Sequence, residues 1–400
     1  MRLHSPFLAR PVLALALLLF VSSCTAEPAT ETETGGATAR TTDAPELTVT
    51  EVAGGLEDGW DIGFLPDGRQ LVPQRSGSLA LITNGRVREV QADFSDVLAV
   101  GEGGLLGMVL HPDFAESRQF TTCQTYQRDG DAVDVRLVNW ELSGDGTRAN
   151  RVADPLLGGL PVNPSGRHSG CRPTIAQDGA LLVGTGDSAD PNTSQDRRSL
   201  GGKVLRLDLK TGEPLPDNPF ADSSNRDERF VYSYGHRNVQ GVAVRPDSDQ
   251  VLLTEHGPDV DDEVNLLRAG GNYGWDPSQG GTEDSYDESV PMTDLERFPD
   301  AVRAQWSSGS ETQAIAGAAF VAGQRWGRLD GALAVAALKG SKLYFFDLDK
   351  AGAVRELSIP EELDDSYGRL RAVRLGPDGD LYVTTSNGSD DTLLRISPAA

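Results

Sequence analysis

Short apolar runs recur in pairs from Leu47 onward, and a polar turn of the Pro-Asp-Gly type joins the two runs of most pairs. The pattern occurs six times, at 62–72, 108–114, 173–187, 242–255, 317–338 and 373–388. The turns that begin at Pro66 and Pro377 bracket five intervals of roughly 62 residues each. An apolar strand, a tight turn and a second apolar strand form a hairpin. The pattern therefore predicts six repeated β-hairpins.

Repeats of short strands, with no amphipathic helix between them, are typical of the blades of a propeller around a central channel. The count predicts an all-β fold, a six-bladed β-propeller, over residues 47–400. A pair of β-sandwiches would need a linker near the middle of this region, and a parallel α/β sheet would need long helices. The sequence favours neither alternative. In a propeller, we expect function on the loops at one end of the channel.

The N-terminal region has the composition of an export signal. Residues 1–23 combine two arginines with the apolar run PVLALALLLFV, which is short for a membrane span. The run ends in VSSC, which resembles a bacterial lipobox and predicts lipidation of Cys24; the alternative is an ordinary signal with a chance cysteine. Residues 24–46 are rich in Thr, Ala, Glu and Pro and predict a flexible tether. We expect an exported protein, lipid-anchored on the outer face of the cell membrane and touching it only through that anchor.

Composition changes this picture in three ways. The 45 glycines and 23 prolines favour short strands and turns over long helices. The formal net charge of −24 makes nucleic acid an improbable partner. Outside the lipobox the chain has two cysteines, Cys123 and Cys171, and in an oxidising compartment such a pair predicts a disulfide bond.

The stretch 234–275 carries two polar clusters, GHRN-x-Q at 235–240 and EHGP at 255–258. An apolar strand, a turn and a second apolar strand separate them. Because a hairpin returns its two ends to the same edge of a sheet, the clusters should lie side by side at one mouth.

A second hairpin places His168 and Asp187 at its two ends, with the turn Gln177-Asp178-Gly179 midway between them. The two residues should lie nearly opposite each other across an antiparallel pair. An aspartate that orients an imidazole is the arrangement of a general base. The alternative is a hairpin end whose histidine is hydrogen-bonded for structural reasons.

These motifs, together with H-x-x-x-R followed by GD, resemble those of the soluble quinoprotein sugar dehydrogenases, the glucose/sorbosone dehydrogenase family. The resemblance covers roughly residues 47–398. It implies oxidation of an aldose to a lactone, dependent on pyrroloquinoline quinone (PQQ) and calcium, with His168 as base, Asp187 as its partner and an unknown electron acceptor. A calcium-dependent lactonase-type hydrolase and a non-catalytic recognition propeller stay open as alternatives.

The resemblance also implies where the cofactors bind. Guanidinium groups suit the carboxylates of PQQ, and calcium accepts backbone carbonyl ligands. The implied PQQ residues are Arg237, Asn238, Lys339, Arg369 and Arg371, and the implied calcium ligands are the carbonyls of Gly257 and Pro258. The acidic run Asp259, Asp261, Asp262 and Glu263 is interpreted as a solvated turn rather than as metal ligands.

Substrate contacts are the least determined part of the prediction. Glu102 stands where glucose-oxidising members of the family carry Gln, near the sugar. Trp306 is a candidate for the pocket wall, with a core or rim aromatic as the alternative. His111 is expected to cap a blade turn, and His256 to contact the cofactor.

Overall fold

Residues 45–278 and 285–399 are described by the computed structural model of the chain. They form six four-stranded antiparallel sheets, which confirms the predicted six-bladed β-propeller. The predicted signal peptide, the tether up to residue 44 and Cys24 lie outside the described residues. In the described part of the chain, no helix is long and apolar enough to cross a membrane.

The first strand, β1 (Leu47–Glu57), belongs to the last blade, and the next twelve strands build blades 1 to 3 in chain order. Blade 1 is β2 (Gly63–Phe64), β3 (Gln70–Gln74), β4 (Ser78–Thr83) and β5 (Arg86–Glu89). Blade 2 is β6 (Leu105–Leu110), β7 (Gln119–Arg128), β8 (Asp131–Leu142) and β9 (Ala149–Leu160). Blade 3 is β10 (Gly170–Ile175), β11 (Leu181–Thr185), β12 (Lys203–Leu207) and β13 (Val231–Tyr234).

The second half of the ring follows the same order until the last blade, which β1 completes. Blade 4 is β14 (Val239–Val244), β15 (Val251–Glu255), β16 (Glu263–Leu266) and β17 (Trp306–Ser307). Blade 5 is β18 (Ile315–Phe320), β19 (Leu333–Ala337), β20 (Lys342–Leu348) and β21 (Val354–Ser358). Blade 6 is β22 (Leu370–Leu375), β23 (Leu381–Thr385), β24 (Ser389–Pro398) and β1.

Helical structure is confined to four short segments in the described residues. They are α1 (Phe114–Ser117) and the 3-10 helices Glu228–Phe230, Gln324–Leu329 and Glu361–Leu363. All four lie in connections between strands, so none forms a layer of the fold.

The six predicted hairpins are the first two strands of each blade. In blade 3, Thr174 of β10 pairs with Leu182 of β11, and the turn between them faces the end of the ring opposite His168 and Asp187. We call the end with His168 and Asp187 the mouth face, and the end with the Pro-Asp-Gly turns the turn face. Inner strands such as β11 are fully buried, because neighbouring blades cover both of their surfaces.

A buried ion network joins the innermost strands at the centre of the ring. Asp61, just before β2, accepts two hydrogen bonds from Arg374 of β22 at 2.7 and 2.8 Å and lies 3.2 Å from Arg172 of β10. Burial opposes ionisation of Asp61, but these two arginines hold its pKa below the ordinary value. The predicted disulfide is also confirmed, since Cys123 of β7 and Cys171 of β10 are bonded and tie blade 2 to blade 3.

Candidate active site

His168 and Asp187 meet at the mouth face, one just before β10 and the other just after β11. Nδ1 of His168 lies 2.8 Å from Oδ1 of Asp187, and both side chains are buried. The backbone of His168 has φ of +51°, a left-handed conformation that turns the chain sharply before the strand. Since Asp187 engages Nδ1, the other ring nitrogen, Nε2, is left to exchange a proton with a ligand.

Asp187 is held by donors from a second part of the chain. Its Oδ2 accepts hydrogen bonds from Nε1 of Trp275 at 2.8 Å and from the hydroxyl of Tyr286 at 2.6 Å. Burial opposes ionisation, but the charge of His168 and the hydrogen bonds from His168 and Tyr286 keep the pKa of Asp187 below its ordinary value. The carboxylate therefore remains charged beside the imidazole.

The two polar clusters of 234–275 lie together, as the hairpin pattern predicts. Glu255 links them, because its carboxylate accepts from the backbone N–H of Arg237 and pairs with Nδ1 of His236 at 2.9 Å. The Arg237 guanidinium crosses to the other cluster and donates to the carbonyls of His256 at 3.1 Å and Gly257 at 2.9 Å. The backbone and the side chain of Arg237 are thus both fixed by the second cluster, residues 255–258.

Glu102 and Asn238 complete the floor of the site. Nδ2 of Asn238 donates to the Glu102 carboxylate at 3.0 Å, and Oδ1 of Asn238 accepts from the backbone N–H of Gly170 at 3.1 Å. Although burial opposes ionisation, the charges of His168 and His256 hold the pKa of Glu102 below its ordinary value. Glu102 is therefore a carboxylate close to the candidate base.

Arg369 and Arg371 share a cavity of about 360 Å³ with Glu102. The Arg371 guanidinium stacks 3.7 Å above the ring of Trp60, and burial lowers the pKa of Arg371 to about 9. Arg369 is exposed at the rim. The other residues that line the cavity are Asp58, Arg75, Gly101, Ser386, Asn387 and Gly388.

The acidic run after Gly257 is only partly the solvated turn that the sequence predicts. Asp259 is exposed, but Asp262 and Glu263 are buried. Asp262 accepts hydrogen bonds from the backbone N–H of Gly257 at 2.9 Å and from Thr312 at 2.8 Å, so it braces the loop. Within the described ranges, no three His, Cys, Asp or Glu side chains are grouped for a metal ion.

Two further predicted residues come from blades 5 and 4, whereas the His168 pair comes from blade 3. Lys339 is exposed, two residues beyond the end of β19. Trp306 is in the outermost strand of blade 4, where its ring contacts those of Phe346 at 5.1 Å and Tyr344 at 6.0 Å. That packing favours the interpretation of Trp306 as a structural aromatic.

Two other histidines named in the sequence prediction, His111 and His256, differ in their surroundings. His111 precedes the turn of blade 2 and bonds Thr121 through Nε2 at 2.9 Å, as expected for a residue that closes a turn. Nε2 of His256 is buried without a hydrogen-bond partner in the described residues. His256 therefore presents an unsatisfied polar atom beside Arg237.

The sequence patterns did not predict Tyr286, Glu288 or the role of Trp275. Glu288 accepts from Arg237 at 2.5 Å, and its carboxylate lies 3.2 Å from Arg167 and 3.9 Å from Nε2 of His168. The chain from Trp275 to Glu288 has neither a strand period nor a motif. Only the aromatic Trp275 at the end of the two-cluster stretch gave any signal.

Comparison with known proteins identifies the family to which this chain is similar. The model of the Glucose / Sorbosone dehydrogenase family matches residues 56–395. An aldose sugar dehydrogenase of Escherichia coli is 32% identical over an alignment of 354 residues, and the match covers 86% of this chain and 91% of that protein. The quinoprotein glucose dehydrogenase B of Acinetobacter calcoaceticus is 34% identical over 47% of this chain and 42% of its own length.

A solved structure adds the fold and a bound cofactor. The PQQ-bound aldose sugar dehydrogenase of Streptomyces coelicolor superposes with a TM-score of 0.70 at 30% identity, over 88% of this chain and 100% of that one. The propeller, its mouth and these matches define an oxidoreductase. The chain belongs to the glucose/sorbosone dehydrogenase family, which confirms the resemblance seen in the motifs.

Proposed function

We propose that this protein oxidises the anomeric hydroxyl of an aldose to a lactone, with PQQ and calcium as cofactors. The observation that carries the proposal is the buried His168–Asp187 pair, 2.8 Å apart, at the same mouth as the Arg237 guanidinium. The names of the relatives from Escherichia coli and Streptomyces coelicolor support it. The electron acceptor stays unknown.

The residues at the mouth fit PQQ, a planar quinone that carries several carboxylates. Nε of Arg237 and Nε2 of His256 are buried, and neither has a hydrogen-bond partner among the described residues. Arg371 and Arg369 add positive charge to the adjoining cavity, and Asn238 lies beside it. Lys339 is exposed, so it would have to extend toward the ligand. When bound, PQQ supplies the two-electron acceptor for hydride from the sugar.

The protein's own groups would handle the proton. Nε2 of His168 accepts it from the anomeric hydroxyl, while Asp187 holds the ring through Nδ1 and stabilises the imidazolium that forms. Arg237 places a fixed positive charge where negative charge develops. Glu102 is positioned to accept hydrogen bonds from sugar hydroxyls, because it is ionised and close to His168.

Calcium would bind at the carbonyls of Gly257 and Pro258. The Gly257 carbonyl accepts from Arg237 at 2.9 Å, so a cation there would compete with the guanidinium for this oxygen. Asp262 holds the loop by its bond to the Gly257 N–H. Backbone oxygens of this kind are ligands that suit calcium, so these two residues would fit the ion.

We also propose export and lipid anchoring through Cys24. Leu47, where β1 begins, pairs with Pro398 on the turn face, whereas Glu57 at the other end of β1 pairs with Ser389 at the mouth face. A tether ending at Leu47 would therefore enter the propeller opposite the active site.

Reconstitution tests the proposal directly. Residues 45–400 are purified, PQQ and calcium are added, and reduction of an artificial acceptor dye is followed with a panel of aldoses. We expect dye reduction that requires both additions. His168→Ala should keep PQQ binding but lose most turnover, whereas Arg237→Ala should weaken both. Calcium-dependent lactone hydrolysis without PQQ binding would favour the lactonase-type hydrolase, and binding of neither would favour a recognition propeller.

A further inference from the structure

Tyr286 lies beside the candidate catalytic pair but belongs to no motif. Its hydroxyl donates to Oδ2 of Asp187 at 2.6 Å and lies 3.3 Å from Nδ1 of His168. The side chain is buried. Burial raises the pKa of Tyr286, so the hydroxyl keeps its proton and remains a donor.

Four close donors surround the carboxylate of Asp187, and the hydroxyl of Ser194 lies farther from Oδ2, at 3.5 Å. Oδ1 accepts from Nδ1 of His168 and from the backbone N–H of Ala189, each at 2.8 Å. Oδ2 accepts from Trp275 at 2.8 Å and from Tyr286 at 2.6 Å. A carboxylate offers about four lone-pair directions, and donors in all of them fix its plane and favour its charged form. Asp187 can thus orient the imidazole without taking its proton.

We propose that Tyr286 is a positioning residue of the catalytic pair and that its hydroxyl tunes His168 through Asp187. This inference rests on the proposed function, because it concerns the base of that reaction. The hydroxyl withdraws negative charge from the Asp187 carboxylate and so weakens its attraction for an imidazolium. Without this donor, Asp187 would hold an imidazolium more strongly, so His168 would keep its proton up to a higher pH. The pH range in which the neutral imidazole can act as a base would then be narrower.

Other charged groups also face His168, and the test must leave them unchanged. They are Glu102, Glu288, Arg167 and Arg237. Tyr286→Phe removes one oxygen and keeps the ring, which packs with Trp275 and Met292. A change in the titration of His168 in this variant would therefore report the lost hydroxyl.

The experiment follows the His168 imidazole by NMR in cofactor-free protein labelled with ¹⁵N-histidine, with His168→Ala used for assignment. In Tyr286→Phe we expect the midpoint of the imidazole titration to rise by about half a pH unit or more. The acidic limb of the kcat/KM profile of the PQQ-loaded enzyme should move in the same direction. Tyr344→Phe is the control, because the hydroxyl of Tyr344 in blade 5 donates to Gln313 at 3.0 Å. This variant should change neither the titration midpoint of His168 nor the acidic limb of the kcat/KM profile.

The outcomes separate this inference from the proposed function. Trp275→Phe removes a second donor from the same oxygen and should also raise the midpoint. An active enzyme whose midpoint is unchanged in both variants would overturn the role of Tyr286 alone. A raised midpoint in a protein that never reduces the dye would support the link from Tyr286 to His168 and reject the dehydrogenase.

Discussion

Glu288 sets the charge at the mouth beside the candidate base. Its carboxylate is 2.5 Å from Arg237 and 3.9 Å from Nε2 of His168, and its side chain is 40% exposed. An acidic sugar bound near His168 would bring a second negative charge within a few ångströms, a repulsion of about 1 kcal/mol. We expect Glu288→Gln to raise kcat/KM for a uronic acid about fivefold relative to the parent neutral aldose.

The ratio of the two kcat/KM values is the measurement, because it cancels changes in cofactor loading. Glu116→Gln is the matched control, since that glutamate is exposed in α1 on the turn face. An unchanged ratio in Glu288→Gln would show that Glu288 does not face the bound sugar.

Glu263 links the site to the pH dependence of stability. It lies opposite Glu255 in the pairing of β15 with β16, and burial together with the charge of Glu255 raises the pKa of Glu263 to about 8. The folded chain thus binds this proton more tightly than the unfolded chain, whose ordinary value is 4.5. Stability from this group is complete below the unfolded value and declines as the pH rises to about 8.

We expect Glu263→Gln to remove that decline. The free energy of unfolding of the variant, relative to wild type, should rise by roughly 1 kcal/mol per pH unit between about pH 5 and 7. Burial lowers the pKa of Lys203 to about 7, which has the opposite effect on stability above that pH, but both proteins share it. Urea titrations at several pH values measure the difference, and parallel curves would contradict the prediction.

The sequence predicted those site residues that local geometry brings together. His168 and Asp187 end one hairpin, and Arg237 and Gly257 belong to two clusters joined by another, so strand pairing alone makes them neighbours. Tyr286 reaches Asp187 from a sequence distance of 99 residues. No period or motif predicts such a contact, because it depends on tertiary folding rather than on strand pairing.

At the scale of elements, the loop between β11 and β12 carries Asp187 and is held by a buried lysine. Nζ of Lys203 donates to the carbonyls of Thr193 at 2.8 Å, Ser194 at 3.0 Å and Gly201 at 2.5 Å. Lys203→Met would leave three buried carbonyls without this donor, at about 1 kcal/mol or more each. We expect a loss of about 3 kcal/mol in the free energy of unfolding, measured in urea.

Lys210→Met is the control for that substitution, because the Lys210 side chain is 71% exposed and pairs with Asp113 at the surface. We expect it to change stability by about 0.5 kcal/mol at most. Equal midpoints of urea unfolding for the two variants would mean that other donors replace the ammonium of Lys203.

The inner hairpins were predictable, whereas the outer strands were not. Inner strands such as β19 are buried over their whole length, so their apolar runs stand out in the sequence. The outer strand β5 reads RVRE, and β17 has only two residues. Their place in a blade comes from pairing with a neighbour rather than from their own composition.

At the scale of the whole molecule, the ring is closed by its two ends. β1 pairs with β24 in blade 6, so strands from both ends of the domain lie side by side. This pairing cannot be read from a local pattern, because the register partners Leu47 and Pro398 are separated by almost the entire domain. The hairpin count was correct without it, since each blade already contains one hairpin of its own.

Closure of the ring by β1 should contribute a large part of the free energy of unfolding of the domain. Leu47 and Leu56 of β1 are 5% and 0% exposed and pack in two separate apolar clusters, one on each side of blade 6. Burial of each such side chain contributes about 1.5 to 3 kcal/mol, against a total of roughly 5 to 15 kcal/mol for a domain. We therefore expect a chain that begins at residue 58 to melt at least about 10 °C below a chain that begins at residue 45, with a less cooperative transition.

A synthetic peptide of residues 45–58 separates strand pairing from other effects of the truncation. If β1 acts by closing the ring, the peptide should bind the shortened chain and restore much of the melting temperature, because it can take the vacant edge of β24. A peptide of the same composition in scrambled order should not, since it lacks the alternation that places Leu47 and Leu56 on their buried faces. Equal melting temperatures for the chains that begin at 45 and 58 would show instead that five complete blades and a three-stranded sixth are enough to hold the ring.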